Sequence, residues 1–389
     1  MDAMPVPRPA WAEVDLDALA HNIREVRRLT DKDARILAAV KADAYGHGAV
    51  TASKTFLDNG ADRLGVATLT EAVELRSAGI DAPILNLGYT PEENYDTLVR
   101  NRVAVTVYTL HQAEALDETA ARLGAKAVAH VKVDTGMGRL GFQPNDATIR
   151  AIAEIDSLPN VELEGIYTHF AVSDAADKTY TRRQFELFTW VLTELRKRGV
   201  EPQIRHVSNS AAIIDLPEYA LDMVRPGIML YGYEPSPDVK LDRVSLMPAM
   251  TLKARLSNVK AVPEGAGISY GLTYTTKRPS IIGTLPLGYA DGYRRALSNR
   301  GWVDFHGDRV PIVGRVCMDQ CMIDLTDVGA AEIGDDVTLF GGGCAPRVED
   351  VAKILDTIPQ EVTCAVARRV PRVYIKGGKV VGVRDYLRG

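Results

Sequence analysis

The chain has 389 residues, 46% of them hydrophobic and 25% charged, with a net charge of −5 and a pI near 5.9. That length holds two or more domains with their own cores, and the acidic balance argues against a nucleic-acid binder, which carries a basic face. No apolar run is long enough to span a bilayer, and the opening MDAMPVPRPA lacks the apolar stretch of a secretory leader, so a cytoplasmic protein is expected.

Up to about residue 245, short β-type runs alternate with amphipathic stretches. The β runs are RILAAV (35–40), RLGVAT (63–68), PILNLG (83–88), VAVTVY (103–108), AVAHVKVD (127–134), ELEGIYTHF (162–170), IRHVSNS (204–210) and LDMVRPGIMLYG (221–232). Helical stretches include 15–29, 70–78, 110–123 and 179–198. Leu16, Leu19, Ile23 and Val26 repeat at the helical interval, as do Phe185, Phe188, Leu192 and Leu195. Eight β/α units predict an α/β fold, a (β/α)8 TIM-type barrel over 1–245. A doubly wound open sheet is the competing architecture.

EPSPDVKLD (234–242) reads as a linker. Over 246–389, MTLKARLSNVKAV, SIIGTLPL, WVDFHGDRVPIVGRVCMDQCMIDL, DDVTLFG and KGGKVVGV are β-rich, and one helix is expected near 348–356. They predict a second, mostly antiparallel β domain. All four cysteines, Cys317, Cys321, Cys344 and Cys364, fall in it. Cys317 and Cys321 could be a metal pair, but they lack a second pair at zinc spacing. Buried free thiols fit them better, and neither metal nor disulfide is expected.

Active sites of such barrels lie at the C-terminal ends of the strands. There the sequence offers Lys41 after the first run, Arg139 after the fifth and His169 at the end of the sixth. Ser208, Asn209 and Ser210 end the seventh, and Arg225, Gly227 and Ile228 belong to the eighth. Singly, each has an ordinary reading as solvated cation, buried imidazole or helix N-cap. Convergence on one face weakens that reading for the set. Small and hydroxyl residues after the last two strands suit a phosphate, which backbone N–H groups bind well. Lys41 is their neighbour around the ring. Pyridoxal phosphate, with a phosphate at one end and an aldehyde at the other, fits that span, with the lysine as its Schiff-base partner. Gly136-Met137-Gly138-Arg139-Leu140-Gly141 matches a dinucleotide fingerprint only in spacing, because Pro144 disfavours the helix that should follow at once.

Seven motifs in order carry a resemblance. They are AVKADAYGHG (39–48), HVKVDTGMGRLGF (130–142), HVSNSAA (206–212), VRPGIMLYG (224–232), GAGISYG (265–271), LPLGYADGY (285–293) and GRVCMDQCMIDL (314–325). Together they resemble the bacterial alanine racemase family of barrel-type pyridoxal phosphate enzymes. The resemblance implies an isomerase that interconverts L- and D-alanine and supplies D-alanine for the cell wall. Lys41 would carry the cofactor and act as one acid/base. Tyr270 would be the second, reaching into the other subunit of a homodimer with shared active sites. Tyr45, Ser210, Gly227 and Ile228 would hold the phosphate, with Asn209 beside them. Arg225 would face the pyridine nitrogen, and His169 would sit between Arg225 and Tyr270. Arg139 would hold the ring oxygen and help place the substrate carboxylate, to which Met318 would offer its backbone N–H. Lys132 matches a lysine that members of the family often carry as a carbamate.

The chemistry explains these residue types. Racemisation removes a proton from one face of Cα and returns one to the other, which takes two bases on opposite sides. Lysine and tyrosine ordinarily titrate near ~10.4 and ~10, so Lys41 must be brought down by burial and Tyr270 by a nearby cation. Arg225 keeps its proton and leaves the pyridine nitrogen bare. Lys132 and Arg139 would repel as two cations, and a carbamate on Lys132 would make them a pair. Arg368 stands where many members have a tyrosine near the phosphate; it would pair with the phosphate or swing outward, which bears on strict alanine specificity. Three alternatives stand beside this reading: a broader serine or lysine racemase, a barrel-type pyridoxal phosphate decarboxylase, and a non-catalytic pyridoxal phosphate carrier.

Overall fold

The computed structural model describes residues 8–388. Strand β1 (Ala10–Asp15) leads directly into helix Leu16–Leu29, where the Asp15 carboxylate accepts the first-turn N–H groups of Asp17 and Ala18. Eight parallel strands follow: β2 (Arg35–Ala39), β3 (Arg63–Val66), β4 (Ile84–Asn86), β5 (Val103–Val107), β6 (Ala127–Lys132), β7 (Val161–Tyr167), β8 (Ile204–His206) and β9 (Met223–Val224). Helices connect them, among them Leu69–Ser77, Leu110–Leu123 and Thr179–Arg196 at the places the apolar spacing marks.

The strands are ordered β8-β7-β6-β5-β4-β3-β2-β9. Two backbone bonds join the ends of that row: Asp222 N–H to the Arg205 carbonyl at 3.1 Å and Arg225 N–H to the Ser208 carbonyl at 2.9 Å. The expected barrel is therefore present, and the open doubly wound sheet is not.

Strand alternation decides what fills the ring. Leu37, Leu85, Ala104, Ile204 and Met223 form an apolar plug, with Val128 packed against it. One period further along the same strands come Ala39, His130, His206 and Arg225, and after them Lys41 and Lys132. The apolar floor thus gives way to a polar layer toward the C-terminal ends.

The rest of the chain is mostly antiparallel, as predicted. With β10 (Met250–Arg255), β11 (Asn258–Val262), β12 (Gly267–Ile268), β13 (Tyr274–Thr275), β14 (Ser280–Leu285), β15 (Trp302–Phe305), β16 (Asp308–Pro311), β17 (Cys321–Asp324), β18 (Asp336–Phe340), β19 (Arg372–Lys376) and β20 (Lys379–Arg384), it forms sheets ordered β16-β15-β18-β10-β1-β19-β20 and β11-β14-β17, plus the β12-β13 pair. The expected helix spans Val348–Leu355, and Pro359–Cys364 adds one that the sequence reading did not mark. Strand β1, inside the span assigned to the barrel, pairs instead with β10 and β19. Its partners lie far along the chain, so no local pattern betrays that pairing. Cys321 is buried as expected, but Cys317 is only half-buried.

Candidate active site

A cavity of about 730 Å³ opens at the C-terminal ends of the barrel strands. Lys41, Tyr45, Lys132, Arg139, His169, Asn209, Ser210, Arg225, Gly227 and Ile228 all line it. The structure thus brings together ten of the residues singled out from sequence.

Lys41 opens an unusual turn. Ala42, Asp43, Ala44 and Tyr45 all have φ near +50°, at 52°, 54°, 52° and 53°, a left-handed conformation that costs an L-residue about 1–2 kcal/mol. Tertiary bonds hold it. The Glu71 carboxylate accepts from Ala42 N–H at 2.7 Å and from Ala67 N–H at 2.8 Å. Asp43 accepts from Ala49 N–H at 2.8 Å and from the Tyr386 hydroxyl at 2.5 Å. The buried Arg372 guanidinium donates to the Gly46 carbonyl at 2.8 Å. The sequence reading missed Glu71, Asp43, Tyr386 and Arg372, whose partners lie on other elements.

Burial, and then the Arg139 charge, push the Lys41 amine below its ordinary pKa. Lys132 is 3% exposed, with its amine 4.8 Å from the centre of the Tyr167 ring. Burial, then Arg225 and Arg139, bring it down to about 7. Arg225 is 6% exposed. Its guanidinium meets His206 Nδ1 at 2.9 Å and His169 Nδ1 at 3.1 Å, and donates to the carbonyls of Thr168 at 2.8 Å and Val207 at 3.0 Å. Burial lowers Arg225 only to about 10, so it stays a cation at neutral pH. The same burial and that cation hold His169 well below the usual imidazole range.

Across the ring, Ser210 Oγ accepts from Gly227 N–H at 2.9 Å and Met229 N–H at 3.4 Å. Gly227 leaves a space that a side chain would fill: a Cβ there would lie 2.8 Å from the Tyr45 hydroxyl. Asn209 is the N-cap of helix Ser210–Asp215, accepting from Ala212 N–H at 3.1 Å, as its ordinary reading held.

The family models for the alanine racemase N-terminal and C-terminal domains match residues 14–235 and 249–374. The alanine racemase of Methanococcus maripaludis is 52% identical over 372 residues, covering 95% of this chain and 100% of that protein. That of Clostridium tetani is 47% identical over 383 residues, covering 98% and 99%. The chain belongs to the alanine racemase family. Among solved structures, the alanine racemase of Clostridium difficile 630 superposes with a TM-score of 0.96 at 45% identity, covering 98% of this chain and 100% of that one. The alanine racemase of Bacillus anthracis with bound L-Ala-P gives 0.93 at 38%, covering 99% and 100%.

The residues present fit the cofactor of this alanine racemase fold, pyridoxal phosphate. The glycine gap at Gly227, beside the Tyr45 and Ser210 hydroxyls, suits a phosphate. Lys41 supplies an amine whose pKa burial lowers, and Arg225 supplies a fixed cation for the ring.

Two expected residues lie elsewhere in the chain. Tyr270 (73% exposed) and Met318 (52% exposed) line a second cavity with Cys317 and Asp319, away from Lys41. Arg368, expected either at the phosphate or swung outward, is exposed and absent from the first cavity's lining, with its guanidinium 5.7 Å from the centre of the Tyr386 ring. The face of that ring attracts a cation, and Arg368 takes the outward of its two expected positions. Ile358, Gln360 and Cys364 border the cavity from this segment instead.

Proposed function

We propose that the chain interconverts L- and D-alanine with pyridoxal phosphate as cofactor, and so supplies D-alanine for the cell wall. The observation that carries the reading is the Lys41 amine, held below its ordinary pKa in one cavity with the Gly227–Ser210–Tyr45 cradle and Arg225, in a chain of the alanine racemase family. When bound, the cofactor supplies an aldehyde for an amine to condense with and a conjugated ring to take the electron pair left at Cα.

The chain's own groups do the rest. Tyr45, Ser210, Gly227 and Ile228 would anchor the phosphate. Arg225 would hold its proton against the ring nitrogen, limiting how long charge rests there. Arg139 would place the substrate carboxylate, helped by the Met318 N–H from the second chain. Lys41 Nζ would take or give the proton on one face of Cα, and the hydroxyl of Tyr270 of the partner subunit on the other. The exposure of Tyr270 and Met318, in a cavity separate from Lys41, supports a homodimer in which two chains complete each site.

Racemisation is favoured over decarboxylation because a second phenolic base has a use only when a proton must return to the opposite face. The position of Arg368 outside the cavity supports testing larger substrates. The purified holoenzyme is given L-alanine, L-serine and L-lysine, and optical rotation and carbon dioxide are followed. Loss of rotation with alanine and no gas is expected. Carbon dioxide release would move the protein to the decarboxylases, and bound cofactor without turnover would make it a carrier. Borohydride reduction followed by peptide mapping should place the adduct on Lys41.

A further inference from the structure

Beneath Arg225, side chains form an unbroken line of hydrogen bonds that runs from the buried histidines to the half-buried Glu164 and Arg63. Arg225 Nη1 meets His206 Nδ1 at 2.9 Å, and His206 Nε2 meets His130 Nδ1 at 2.9 Å. His130 Nε2 meets Glu164 Oε2 at 2.9 Å. Glu164 ends on Arg63, whose two Nη groups donate to its two oxygens at 2.6 Å each. Both histidines are 0% exposed. Room for this line depends on Gly165, where a Cβ would lie 2.3 Å from His130 Nδ1.

The line has a direction. A guanidinium only donates, so His206 Nδ1 must be bare. Neutral His206 then carries its proton on Nε2 and donates to His130 Nδ1, which must also be bare. His130 in turn carries its proton on Nε2 and donates to the Glu164 carboxylate. The reverse order would set a His206 N–H against Arg225, two donors facing each other in a dry core. A doubly protonated His130 fails for the same reason, since its Nδ1–H would turn His206 round. Burial alone would raise the Glu164 carboxyl, but the bonds from His130 and Arg63 outweigh it and bring it down to about 2, so the terminal acceptor is an anion.

We propose that Glu164, anchored by Arg63, is a positioning residue that accepts the last proton of this line, supports from the far end the tautomer order Arg225 imposes at the near end, and so holds the Arg225 guanidinium in its orientation. Its effect on turnover rests on the racemase reading; the tautomer order does not. The other acceptors of Arg225, at Thr168, Val207 and His169, all bind Nη2. His206 alone meets Nη1 among the described residues, so it governs the tilt of the guanidinium plane.

The test is nitrogen NMR of the holoenzyme labelled with 15N-histidine, correlating ring nitrogens with ring carbon-bound protons. Both His130 and His206 should show a bare Nδ1 and a protonated Nε2. A protonated Nδ1 on either ring of the wild-type protein overturns the proposal, whatever the enzyme's turnover. The double variant Arg63→Met/Glu164→Leu removes the pair together and leaves no orphan charge. It should leave the His130 Nε2–H without its acceptor, seen as a moved Nε2 signal, and lower kcat for alanine by about tenfold or more, as loss of an outer partner of a site commonly does, with KM little changed. Glu164→Gln keeps an acceptor for His130 and should restore most of both. A wild-type His130 Nε2 signal with wild-type kcat in the double variant would reduce Glu164 to a structural role and end the proposal.

Discussion

Lys132 carries its amine at 3% exposure, near the guanidiniums of Arg225 and Arg139, and its pKa falls from 10.5 to about 7. Through that window the unfolded chain binds a proton that the folded chain does not. Stability should therefore rise with pH from about 7 to 10.5 on this group's account. A neutral buried amine is also a nucleophile for carbon dioxide, and a carbamate would give both guanidiniums an anion. With 13C-bicarbonate, wild-type protein should show a carbamate carbon signal that fades as pH drops below about 7 and is absent in Lys132→Ala. That variant should lose activity and regain part of it with a small carboxylate. Unchanged activity without such rescue would leave Lys132 an ordinary amine. Gly227 gives a second test at this scale. Gly227→Ala would press a methyl toward the Tyr45 hydroxyl. Loss of one charge-assisted phosphate bond, worth about 1.5–3 kcal/mol, should weaken cofactor binding about tenfold or more in a titration of the apoprotein.

The turn from Lys41 to Tyr45 shows what an element demands of its neighbours. Four consecutive non-glycine residues sit in the left-handed region, and Glu71 bonds to three N–H groups around them, those of Ala42, Ala67 and Thr68. Glu71→Ala should cost about 1–3 kcal/mol of stability, seen as a lower denaturation midpoint at unchanged slope, together with weaker cofactor binding. A shifted midpoint with wild-type cofactor affinity would show that the turn does not need that carboxylate. The eight barrel strands were legible from sequence because a buried parallel strand writes its own apolar run. The turn was not. AVKADAYGHG names the lysine and supplies Gly46 and Gly48, but Ala42–Tyr45 adopt their conformation only because Glu71, Tyr386 and Arg372 meet them from elsewhere. The same holds for His130 and His206. Both stood inside recognised motifs, yet their partnership across β6 and β8 follows from the ring and not from either motif.

At the scale of the molecule, the two halves interlock. β1 supplies a central strand to the C-terminal sheet, while Tyr386 and Arg372 reach back to the turn behind Lys41. We therefore assign the barrel to the chain after β1, and β1 to the second domain. Each chain presents Lys41 in one cavity and exposes Tyr270 beside another, and the proposed two-base scheme takes the two from different copies. Mixing Lys41→Ala with Tyr270→Phe under conditions that exchange subunits tests this directly. Each variant alone should be nearly inactive, with Tyr270→Phe still binding cofactor. The mixed dimer holds one site with both Lys41 and Tyr270, so racemisation should return on mixing. Two inactive variants that stay inactive after proven exchange, or a fully active Tyr270→Phe, would contradict a two-base site shared between chains.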